Sequence, residues 1–172
     1  MLQFSFTVNN NDYVKNGNKF LYGENDKFMT KGHFLEAFLR RYYGVQDWFK
    51  ADNIAFNIDS DINIGDKHIS VKSHNFSFTE VKEFITTEKT EQKRLELIDK
   101  FFKNSHSNTY TFIDFKINEK NTILTCYEFT IQEFYKIALR YAVLDKISSK
   151  KKNTPTYKLK CRVVIDTMLQ VL

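Results

Sequence analysis

The chain has 172 residues, 42% hydrophobic and 16% aromatic, with a net charge of +5 and only two cysteines. That composition excludes a disordered chain and supplies enough apolar surface for one sizeable core, so a single domain over 1–172 is expected. Cys126 and Cys161 lie in apolar runs and are too few for a disulfide framework, which points to buried free thiols in a reducing compartment. With no apolar run of transmembrane length and no stretch resembling a signal peptide, a cytoplasmic protein without membrane attachment is expected.

In chain order, Leu2 to Val8 alternates apolar and polar residues, the pattern of a strand with one buried face. Residues 13–29 read as irregular. Thr30 is placed to cap a helix over roughly 31–43, with Phe34, Leu35, Phe38, Leu39 and Tyr42 as its core stripe and Gly44 as its stop. His33, Glu36 and Arg40 share a face beside that stripe. They form either a flank of a functional site or, for Glu36 and Arg40, an ordinary i,i+4 surface pair. Ile54, Phe56 and Ile58 alternate and predict a strand.

The next stretch carries the chemistry. Ile62 and Ile64, then Ile69 and Val71, alternate with polar neighbours on either side of Gly65-Asp66. Glycine first in a two-residue loop is the chemistry of a type II′ hairpin turn. That turn sets Ile64 opposite Lys67, Ile62 opposite Ile69, Asp61 opposite Ser70 and Asp59 opposite Lys72. Asp59, Asp61, His68, Ser70 and Lys72 then share one side. Directly opposed Cβ atoms are about 5 Å apart, so two carboxylates, a hydroxyl and a lysine meet on one patch. Oxygen donors of this kind suit a hard cation, Mg²⁺ or Mn²⁺, held with substrate phosphate. The same residues also fit a plain cross-strand ion pair on an exposed face.

Ser77-x-x-Glu80 has the form of a capping box and predicts a helix running past Val81, Phe84 and Ile85. A second helix is expected over about 90–103. Thr109–Ile117 is strongly β-prone, and Asn118 to Asn121 turns into a strand over 122–129. Thr130-x-x-Glu133 opens a helix expected to reach Lys146, with Leu144 on its core stripe. The segment after residue 145 holds seven basic residues against Asp166, so the positive excess of the whole chain sits at this end. Lys150, Lys151 and Lys152 lie in a loop before Pro155, and Lys158, Lys160 and Arg162 alternate with Leu159, Cys161 and Val163. Cations about 7 Å apart along a strand match successive phosphates of a nucleic-acid backbone; protection of an edge strand explains the same lysines.

Asp61, followed after a short hairpin by Ser70-Val71-Lys72, resembles the PD-(D/E)XK nuclease motif, in a superfamily that includes many restriction endonucleases. The resemblance implies an α/β fold, a restriction-endonuclease-like core over about 30–117 with a mixed, mostly antiparallel central sheet flanked by helices. The strand–helix–strand segment over about 121–165 would extend it. It implies Asp61 as the motif aspartate, Lys72 as the motif lysine, Glu36 as the helix glutamate, and Mg²⁺ or Mn²⁺ held by Asp61 with Asp59 and Glu36. In some members the second acid comes from a later helix, where Glu80, Glu83 and Glu91 stand. Ser60 replaces the motif proline, and Ser70 replaces an acid. The expected function is metal-dependent hydrolysis of DNA, with RNA as the other nucleic-acid substrate and a homodimer as one way to cut both strands. A catalytically inactive DNA-binding module on the same fold, or a phage or plasmid protein-interaction factor, are the alternatives.

Overall fold

A computed structural model describes residues 1–17, 19–22, 29–46, 61–73, 84–147, 154–162 and 165–170. In chain order the first strands are β1 (Leu2–Asn9), β2 (Tyr13–Asn16), β3 (Lys19–Tyr22) and β4 (Met29–Thr30). Helix α1 (Lys31–Tyr42) leads to β5 (Ile62–Ile64), β6 (Lys67–Ser73) and β7 (Ile85–Thr86). Then come α2 (Glu91–Lys103), β8 (Thr109–Ile117), β9 (Asn121–Thr130) and α3 (Ile131–Tyr141). The chain closes with β10 (Ala142–Ile147), β11 (Thr156–Cys161) and the short α4 (Ile165–Leu169). The fold is α/β, with a mixed central sheet. Among the described residues no helix is long and apolar enough to cross a membrane.

Two compact units make up the chain, residues 1–73 with 106–130, and residues 74–105 with 131–172. The first is built on a five-stranded sheet in the order β1-β9-β8-β6-β5. Every pair is antiparallel except β6 with β8. A parallel pair cannot be joined by a tight turn, and here a long connection containing α2 separates the two strands. Strand β8 matches its expected bounds, and its first five residues, Thr109–Ile113, are all buried, the mark of a strand covered on both faces. Val71, Ile113, Cys126 and Leu124 meet Phe34, Leu35, Phe38 and Leu39 of α1 in one apolar core.

Helix α1 begins and ends where local chemistry predicts. Thr30 Oγ1 accepts from the His33 amide at 3.4 Å, and Gly44 follows the helix with φ of +73°, a left-handed conformation that glycine adopts without a steric cost. The segment 13–29, expected to be irregular, instead holds strands among its described residues: β2, β3 and β4 form a small antiparallel sheet. Tyr13 of β2 and Phe20 of β3 are buried in the same core against Phe34, while Val14 is exposed.

The second unit holds a sheet in the order β10-β11-β7, together with α2, α3 and α4. Thr90 caps α2, accepting from the Lys93 amide at 3.1 Å. Two expectations are corrected here. The helix opening after Thr130 stops at Tyr141, and Ala142–Ile147 is a strand that pairs with β11 residue by residue. Leu144 keeps its burial but gains it opposite Leu159 rather than from a helical stripe. Ile85, expected in a helix, lies in β7 opposite Lys158. In both places pairing with a distant strand outweighs local helical pattern. Strand β11 therefore lies between two strands, which weakens edge protection as the reason for its lysines.

Candidate functional site

The β5–β6 hairpin has the expected register, with Ile62 opposite Ile69, Asn63 opposite His68 and Ile64 opposite Lys67. Gly65 takes φ of +55°, as the first position of a primed turn requires. Asn108, just before β8, clasps the turn: its side-chain amide donates to the Asp66 carbonyl at 2.7 Å and its Oδ1 accepts from the His68 amide at 3.0 Å.

Asp61 sits one residue before β5, and its amide extends the ladder by donating to the Ile69 carbonyl at 3.0 Å. Its carboxylate turns onto β6. Oδ2 accepts from the Val71 amide at 2.6 Å and from the Ser70 hydroxyl at 3.3 Å. The carboxylate thus takes the place a strand carbonyl would hold, since β5 begins only at Ile62. Both bonds fall on one oxygen, so a cation bound by Asp61 would use Oδ1 or share Oδ2.

Helix α1 contributes the other half of the cluster. Arg40 is buried, and its Nη2 donates to the Asp61 carbonyl at 2.6 Å. Glu36, one turn earlier, is half-buried. Burial first, and then the Asp61 charge, push its carboxyl up to about 7, while Arg40 and Lys72 pull it down. Glu36 therefore lies in the fields of Arg40, Asp61 and Lys72, and Arg40 in those of Glu36 and Asp61, with Ser70 hydrogen-bonded to Asp61. Four of the residues singled out in the sequence, Glu36, Asp61, Ser70 and Lys72, come together. The two carboxylates and the hydroxyl are hard oxygen donors of the kind Mg²⁺ or Mn²⁺ takes. Among the described residues no group of three or more His, Cys, Asp or Glu is assembled for a metal. Asp59, Glu80 and Glu83 lie outside the described residues. Glu91 is paired with Arg94 on α2 and His33 is exposed.

Of the two places open to Arg40 in the sequence, a flank of a functional site or half of a surface pair, its burial excludes the second: it is a buried cation that holds the backbone entering the hairpin. Its spacing from Glu36 was legible; its burial follows from the packing of α1 on the sheet.

The basic stripe of the second unit is less uniform than its spacing suggests. Lys160 is hydrogen-bonded to Asp145 of β10. That bond, with the charges of Lys160, Arg162 and Lys158, holds the Asp145 carboxyl below the usual range. A carboxylate thus sits among Lys158, Lys160 and Arg162. Lys150, Lys151 and Lys152 lie outside the described residues.

Compared with models of known protein families, with curated proteins and with solved structures, the chain matches none.

Proposed function

We propose that this chain is a metal-dependent nuclease of restriction or mobile-element type that hydrolyses DNA phosphodiester bonds on a restriction-endonuclease-like core. One observation carries the reading: the carboxylate of Asp61 lies against Ser70, and the helix glutamate Glu36 feels the charges of both Asp61 and Lys72. The core that the resemblance implies is a helix, three strands, a helix and a further strand; α1, the β5–β6 hairpin, α2 and β8 supply all but its first strand, expected over 53–58, which lies outside the described residues. Asp61 and Glu36 would hold one Mg²⁺ or Mn²⁺, with the Ser70 hydroxyl beside them. When bound, the ion lowers the pKa of a water and neutralises charge developing on phosphate. Lys72 orients the attacking water and stabilises the pentacovalent phosphate electrostatically. Lys158 and Arg162 draw in the nucleic-acid backbone.

The test is cleavage of plasmid and oligonucleotide DNA in Mg²⁺, Mn²⁺ and EDTA. Lys72→Ala is expected to abolish metal-dependent cleavage while the protein keeps its fold by circular dichroism. Cleavage retained in purified Lys72→Ala overturns the assignment.

A specific observation favours a second reading, an inactive module that holds DNA. Ser70 stands where the motif has an acid, and the Asp61 oxygen bonded to it also accepts from the Val71 amide. Salt-dependent DNA binding without cleavage in either metal selects that reading.

A further inference from the structure

Strand β1 forms one edge of the five-stranded sheet, and among the described residues no strand pairs with its outer side. Edge strands that stay solitary carry lysine, proline, inward charges or bulges that block a further strand. The edge strand of the smaller sheet, β10, follows that rule with Asp145 and Lys146. The eight residues of β1, Leu2-Gln3-Phe4-Ser5-Phe6-Thr7-Val8-Asn9, include no charge, no proline and no glycine. They pair with β9 in unbroken register from Leu2 to Asn9, so no bulge interrupts the strand.

The side chains beside that edge are apolar and open. Leu2 is 53% exposed and Tyr42, at the end of α1, 46% exposed. Tyr42 stacks on both Phe4 and Phe6, with ring centroids 4.4 and 5.3 Å away. An aromatic ledge therefore runs along the open edge. A water-exposed ledge of this kind next to unpaired backbone groups marks a docking surface rather than ordinary scattered exposure.

We propose that β1 pairs antiparallel with β1 of a second copy of this chain, about a two-fold axis at Ser5, joining two five-stranded sheets into one of ten strands. Two features select a second copy as the occupant. The polarity of the strand is symmetric about Ser5: Leu2 mirrors Val8, Gln3 mirrors Thr7 and Phe4 mirrors Phe6. A two-fold at Ser5 thus sets apolar against apolar and polar against polar, as an isologous contact requires. Charge is the second feature. The positive excess of the chain lies after residue 145, outside the first unit, and β1 itself carries no charge, so no like charges meet where two copies of the strand pair.

The test uses the full chain. Sedimentation velocity over a concentration series is expected to show a monomer–dimer equilibrium. Ser5→Lys, which sets two ammonium groups face to face at the axis, is expected to weaken the dimer roughly tenfold or more. Thr87→Lys, at an exposed position of the second unit, adds the same charge and should leave the dimer intact. The register is read by disulfide trapping: Ser5→Cys sits opposite itself and should oxidise to a covalent dimer. Gln3→Cys and Thr7→Cys should cross-link with each other but not with themselves. Cys126 and Cys161 are buried, with thiols pushed up to about 12, and stay silent. A chain that is monomeric at all concentrations overturns the proposal. So does a dimer unaffected by Ser5→Lys, or one trapped by Gln3→Cys alone.

Discussion

Replacing Asp61 tests two roles at once, and the structure separates them. Its Oδ2 accepts a 2.6 Å bond from the Val71 amide inside the sheet and a longer one from Ser70. A hydrogen bond to an ionised acceptor contributes about 1.5–3 kcal/mol, and an orphaned, partly buried amide costs about as much. Removing the charge also relieves Glu36, whose carboxyl the Asp61 charge pushes up, and that gain offsets part of the loss. Asp61→Ala is therefore expected to destabilise the first unit by about 2 kcal/mol. Asp61→Asn keeps an acceptor oxygen for the Val71 amide and is expected to cost under about 1 kcal/mol. With a urea dependence of about 2 kcal/mol per molar, Asp61→Ala lowers the unfolding midpoint by about 1 M and Asp61→Asn by less than half of that. Hydrogen exchange supplies the local readout: the Val71 amide should lose protection in Asp61→Ala and keep it in Asp61→Asn. An alanine variant as stable as the parent, with Val71 equally protected, refutes the structural role. On the nuclease reading both variants lose cleavage, so only the asparagine variant reports chemistry apart from folding.

Glu36, with its carboxyl raised from 4.5 to about 7 by burial and by Asp61, favours the folded state fully below 4.5, and that contribution is lost as pH rises through 7. Glu36→Gln should flatten stability across this window and be the more stable protein above pH 7, by at most about 3 kcal/mol, in urea titrations at stepped pH. On the nuclease reading, cleavage by the parent rises through the same window, because an ion needs Glu36 as a carboxylate. Thr111 is fully buried on β8, and its hydroxyl has no partner among the described residues; Thr111→Val should raise stability by about 1 kcal/mol in thermal or urea unfolding. Across the basic stripe, Lys158→Ala and Arg162→Ala should each lower the slope of log affinity against log salt on duplex DNA by about 0.9. Lys160→Ala should lower it less, because Lys160 already faces Asp145.

The parts of this protein that sequence alone determined are those held by neighbouring residues. A threonine before an apolar stripe and a glycine after it bound α1, since the cap bonds span only a few residues. Gly65-Asp66 between alternating strands determined the hairpin register, and with it the meeting of Asp61 and Ser70, because turn length leaves one way to pair the strands. Strand β8 kept its expected bounds for the same local reason.

Contacts between distant segments decided the rest. Ala142–Ile147 continues a helical pattern in sequence, yet it becomes a strand because β11 offers a full ladder of partners. Tyr13 to Thr30 has weak local signals, and its strands form where Tyr13 and Phe20 pack on Phe34. The parallel pairing of β6 with β8 sets Lys72 opposite Phe112, forty residues away. Arg40 spaced four residues after Glu36 is the same sequence whether the pair faces water or the sheet. The packing of Phe34, Leu35, Phe38 and Leu39 turned it inward, and burial there raises the Glu36 carboxyl and ties Arg40 to the backbone of Asp61.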